Sequence, residues 1–164
     1  MLGFNYFLFL FLLMKLQQKY LEAISTIGSL YSDFYDLLEK SKIKPSALHD
    51  LMFDKGFKKG LALKQSNKEK ALQTASKSLL VLHDFYNIKS KLISLESNKA
   101  LIEISSCSFS QNKNWQSKYC VSLDGYEEGL VKGINSHLVH YCPRRRSLGH
   151  PKCVVIIEWK NKVK

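Results

Sequence analysis

The sequence predicts an α+β domain: an antiparallel sheet with helices packed on one side, preceded by a long N-terminal amphipathic helix. Three observations carry this expectation. Apolar residues recur at helical spacing from Leu16 to Phe85. After Tyr86 the pattern changes to short runs rich in Ile and Leu. A glycine-spaced helical stretch then feeds two more strand-like runs that end at Trp159.

A chain of 164 residues suits one domain with a sizeable core. Its 45% hydrophobic and 12% aromatic content, with charge spread along the chain, describes a folded protein rather than a disordered one. The net charge is +11. From Pro143 onward there are seven Lys or Arg against one Glu. Such a field favours nucleic acid, an acidic surface or an acidic ligand, although a solvated lysine-rich surface explains the same charge. No interleaving of basic and aromatic residues marks a nucleic-acid module, so nucleic acid is the less favoured partner. Four cysteines without an export signal fit a reducing, cytoplasmic setting.

Residues 1–14 carry no charge and are too short to span a bilayer, which needs about 20 apolar residues. They are read as an upstream start, a membrane-touching tail or a segment buried in a dimer. No transmembrane span is expected. The region 15–44 reads as the N-terminal helix, its apolar positions 16, 20, 24, 27, 31, 34 and 38 forming one stripe for the core or for a second subunit. The domain proper is expected over 45–164. Pro45 and Ser46 open a second helix with a face of Leu48, Leu51, Met52 and Phe57. Gly56 and Gly60 share one side of it and suit the close approach of a backbone or a ligand. Ser66 and Glu69 have the spacing of a capping box, ahead of a third helix that buries Leu72, Ala75, Leu79, Leu82 and Phe85.

The runs 88–96 and 100–106 predict a β-hairpin, with Ala100, Ile102 and Ile104 on its buried face. Trp115 follows in a polar loop, as a plug over the sheet edge or a lid on a pocket. Gly125, Gly129 and Gly133 then stand four apart among Leu123, Tyr126, Leu130, Val131 and Ile134. Three interior glycines lose roughly 2–3 kcal/mol of helix propensity, so close packing of a sheet, a helix or a ligand must offset the loss. Glu127, Glu128 and Lys132 rule out a membrane-helix reading of the same spacing. Strands are expected at 138–142 and 153–159, and pairing them as a hairpin brings Cys142 and Cys153 together at its mouth.

The series Cys120, Gly129, Gly133, a strand, then Gly-His-Pro-Lys-Cys at 149–153 and an apolar strand resembles the 4-vinyl reductase, or hydrocarbon-binding, domain family. The resemblance extends over residues 45 to 160 and implies the fold of the transport-particle subunits of vesicle tethering, in which sheet and helices enclose an apolar channel. It implies binding of a small apolar ligand, with cysteines as candidate metal ligands. His150 stands where the family has an acidic residue, which removes any role of that carboxylate.

The expected ligand-binding residues are Leu123, Tyr126, Gly129, Leu130 and Gly133. The expected metal set, for zinc, is Cys120, Cys142, His150 and Cys153, with His137 and His140 as alternative nitrogen donors. A cysteine nucleophile lacks any base that the sequence brings near it, and no dinucleotide or flavin motif is present. The leading expectation is therefore a non-catalytic ligand-binding domain, working as a homodimer. A basic interaction module comes second, and a metal-dependent enzyme third.

Overall fold

A computed structural model describes the backbone of residues 2–44, 46–111 and 115–160, and the side chains of residues 12–44, 46–110 and 115–160. Its order is α1 (Leu2–Lys40), α2 (Ser46–Leu61), α3 (Lys68–Phe85), β1 (Lys89–Leu95), β2 (Lys99–Ser106), α4 (Val121–Ile134), β3 (Leu138–Arg144) and β4 (Cys153–Trp159), with short 3₁₀ turns at Phe109–Gln111, Ser117–Cys120 and Arg146–Leu148. This is the expected α+β class. Among the described residues no helix is long and apolar enough to cross a membrane. Pro45 and the side chains of residues 1–11 lie outside the described set.

The four strands form one antiparallel sheet in the order β1-β2-β4-β3. Ala100, Ile102 and Ile104 fill its inner face as the alternation requires, facing Ile157, Val155 and Cys153 of β4 across the ladder. Leu72, Ala75 and Leu79 of α3, with Leu130, Val131 and Ile134 of α4, close that face into one core.

Three local expectations change. The α3 cap is Asn67, whose Oδ1 accepts from the Lys70 amide at 3.0 Å, rather than the Ser66 and Glu69 box. Phe85 and Leu51 are exposed instead of core. On α1 the expected single stripe splits in two. Ile24, Tyr35 and Leu38 are buried against the domain, whereas Leu16, Tyr20 and Phe34 remain exposed. Two adjacent apolar stripes run down this helix, and its period alone does not say which one the domain covers.

Aromatic side chains hold the second half of α1 to the 3₁₀ turns. Tyr31 packs edge-on to Phe109 at 6.1 Å, and Tyr35 likewise to Tyr119 at 5.6 Å. Lys118 adds ion pairs to Asp36 (3.0 Å) and Glu39 (2.7 Å).

Candidate functional site

The glycine face of α4 is a helix-packing surface. A Cβ on Gly129 would stand 2.1 Å from the Phe53 carbonyl oxygen, and one on Gly133 would stand 2.3 Å from that of Phe57. The fit is reciprocal: a Cβ on Gly56 would lie 2.0 Å from the Tyr126 carbonyl. Glycines on both helices thus allow the two backbones to touch, and α2 occupies the trough that the glycine spacing predicts.

The walls of α4 beside that trough do line open space. Tyr126 and Leu130 border a groove of about 450 Å³ between α2, α3 and α4, together with Leu63, Val81 and Phe85. Lys59 and Lys77 also line it, giving a largely apolar groove two cationic groups. This volume falls within the roughly 300–1,000 Å³ usual for small-molecule sites. Leu123 lines a different, more enclosed cavity between the sheet and the start of α4, with Trp115, Cys120, Cys142 and Cys153. That cavity measures only about 50 Å³. A benzene-sized guest needs a cavity of about 150 Å³.

Three of the four expected metal donors meet at this smaller cavity, while His150 lies on the exposed turn after Gly149. Cys120 accepts from Trp115 Nε1 at 3.5 Å, and Cys153 accepts from the Arg146 amide at 3.3 Å. The Cys142 thiol reaches the Arg144 carbonyl at 3.1 Å and also Cys153. Among the described residues no group of three or more His, Cys, Asp or Glu is placed to hold a metal. The arrangement as it stands does not fit a metal ion.

It does distinguish the thiols chemically. Hydrogen bonding from Cys142, supported by the Arg146 amide and the charges of Arg145 and Arg146, outweighs burial and brings Cys153 down to about 6. The same hydrogen bond and burial push Cys142 up. Burial raises Cys107 and Cys120. Arg145 is held by a two-pronged contact to Asp124, both arms at 2.9 Å, which ties the β3–β4 loop to α4. One arginine of the basic loop is thereby committed within the protein.

A second polar cluster escaped the sequence reading. The Glu127 carboxylate is buried between two imidazoles, His83 Nε2 at 2.9 Å from one oxygen and His140 Nε2 at 2.9 Å from the other. It links α3, α4 and β3. Burial alone would raise its pKa, but the pull and hydrogen bonds of His83 and His140 prevail and hold it far below the usual carboxylate range. Each Nε2 must carry a proton to donate here. Among the described residues His83 Nδ1 has no hydrogen-bond partner. A sequence signal existed: His83 continues the buried stripe of Leu72, Ser76 and Leu79, and Glu127 stands on the buried side of α4 with Leu130, Val131 and Ile134.

Sheet, helices and groove together define an α+β fold of the transport-particle-subunit kind. The chain is similar to trafficking protein particle complex subunit 3 from Naegleria fowleri covalently bound to palmitic acid, with a TM-score of 0.60 and 11% identity, covering 87% of this chain and 98% of that one. It is also similar to the phenol-responsive sensory domain of the transcription activator PoxR with phenol, with a TM-score of 0.51 and 11% identity, covering 86% of this chain and 76% of that one. At such identity the likeness is one of fold. No family model matches the chain, and no curated protein matches its sequence.

Proposed function

We propose that this chain is a non-catalytic, cytoplasmic binding domain for a small apolar or lipid-like molecule, that it acts as a homodimer, and that it is a distant relative of the 4-vinyl reductase domains. The groove between α2, α3 and α4 carries this reading. It is large enough for such a molecule, and Val81 and Phe85 leave apolar surface open to solvent within it. The neighbours in fold, one bound to palmitic acid and one to phenol, support it.

Tyr126 and Leu130 act as walls. Gly129 and Gly133 act indirectly, by letting α2 approach so that Lys59 and Leu63 complete the groove. Two lysines at an apolar groove suit an acyl chain with an anionic end. Zinc plays no part in this reading; stoichiometric zinc by elemental analysis, lost on changing Cys142 and Cys153 to Ser, would restore the thiol set as a structural metal site.

Titration with palmitate tests the assignment. The account expects saturable binding that weakens only modestly with added salt, by screening of Lys59 and Lys77, and at least tenfold in Val81→Glu, an exposed position where the fold tolerates the change. Unaltered affinity in that variant would move the ligand out of the groove. Binding of nucleic acid with steep salt dependence, and none of palmitate, would favour the basic interaction module instead.

A further inference from the structure

Between Leu13 and Leu37 every third or fourth residue of α1 is apolar: Leu13, Leu16, Tyr20, Ala23, Ile27, Leu30, Phe34 and Leu37. This is an unbroken alternation of steps of three and four over more than three heptads, the pattern that keeps one helix facing another. It runs beside the stripe of Ile24, Tyr35 and Leu38 that the domain covers. Leu16 and Leu30 are 65% and 61% exposed, and Leu37 is 57% exposed. Ile27 is half-buried against the domain core, and the rest of this seam, about 36 Å from end to end, is open along the helix.

We infer that this seam binds the same seam of a second copy, with the two α1 helices antiparallel about a two-fold axis beside Ser25 and Thr26. The inference deepens the homodimer reading above and rests on it. In this register Leu13 meets Leu37 of the second copy, Leu16 meets Phe34, Tyr20 meets Leu30 and Ala23 meets Ile27, so every apolar position has an apolar partner. On the flank away from the domain, Lys19 of each copy falls opposite Asp33 of the other, and Thr26 faces Thr26. Both charged residues are exposed. A parallel pair would set Lys19 toward the flank of Ile24, which the domain already buries.

The placement of the domain agrees with the antiparallel choice. Among the described residues its buried contacts on α1 begin at Ile24 and end at Leu38, and Tyr20 also reaches across, its hydroxyl donating to the Phe85 carbonyl. Reversing one helix sets each domain beside the exposed stretch 12–23 of the other α1, so the two domains occupy opposite ends of the pair.

Sedimentation velocity of the full chain over a concentration series tests the proposal. The wild type is expected as a dimer, and Leu30→Glu with Leu37→Glu as a monomer that keeps its near-UV circular dichroism. Lys19→Asp is expected to weaken the dimer roughly tenfold by replacing two attractions with two repulsions. Asp33→Lys should do the same, and the double variant should restore the wild-type constant. A dimer that survives the Leu30 and Leu37 changes would overturn this face while leaving the homodimer reading intact. A wild-type monomer, including one that co-floats with anionic vesicles, would overturn both. Dimers indifferent to the charge exchange would overturn the antiparallel register. None of these outcomes touches palmitate binding, which the Val81→Glu titration judges separately.

Discussion

At the scale of single residues, the most consequential group is Glu127, a charge buried with a hydrogen-bond donor on each oxygen. Glu127→Gln keeps the shape but turns an amide donor toward a donating imidazole. Breaking a buried pair in this way costs about 3 kcal/mol, readable in chemical denaturation. The pH dependence has a definite sign. The folded carboxyl titrates below its unfolded value of about 4.3, so its stabilisation is complete above that pH and is lost as the pH falls from there toward the depressed folded value. Acid unfolding of the wild type should carry this contribution, and that of Glu127→Gln should lack it. That each imidazole meets Glu127 was not legible beforehand, because His83 lies 44 residues away and His140 lies 13 away, on other elements.

Cys153 offers a second test at this scale. Its lowered value predicts alkylation by iodoacetamide with a midpoint near pH 6, while Cys107, Cys120 and Cys142 respond only in alkaline solution. A single alkaline midpoint for all four would show that the Cys142 hydrogen bond and the two arginines do not act on Cys153. The meeting of Cys142 and Cys153 followed from pairing the terminal strands. His150 was expected beside them through its nearness in sequence to Cys153, but the turn at Gly149, with φ of 88°, leaves it outside.

At the scale of elements, the α2–α4 contact organises the molecule. Both sets of glycines could be read from the sequence, as could the need for a close neighbour. That each set is the other's neighbour could not, because spacing reports a smooth face and not what covers it. Gly129→Ala gains helix propensity of about 1 kcal/mol yet drives a methyl into the Phe53 carbonyl. Since overpacking costs up to about 3 kcal/mol or more, the net effect should be a clear loss of thermal stability. Gly149→Ala provides the contrast, with nothing within 4 Å of its added Cβ and only local strain from its positive φ. Equal effects of the two changes would contradict the backbone-to-backbone fit. The hairpin of β1 and β2 was fully legible, since alternation of buried and outer residues is a local property. The stripe on α1 was only half legible, since a helix with two apolar faces needs its neighbours to tell them apart.

At the scale of the whole molecule, a sheet carries α3 and α4 on one face, and α2 locks onto α4 through glycines. This arrangement frames a groove whose walls are Tyr126 and Leu130 and whose rim carries Lys59 and Lys77. The fold class was legible because it sums many local patterns. The groove was not, because it lies where three helices separated in sequence fail to touch completely. Native mass spectrometry of the freshly purified full chain, with and without added palmitate, tests the central claim most directly. The account predicts one lipid-like molecule retained or taken up per chain, released on denaturation. A chain that stays at its bare mass under both conditions would contradict it.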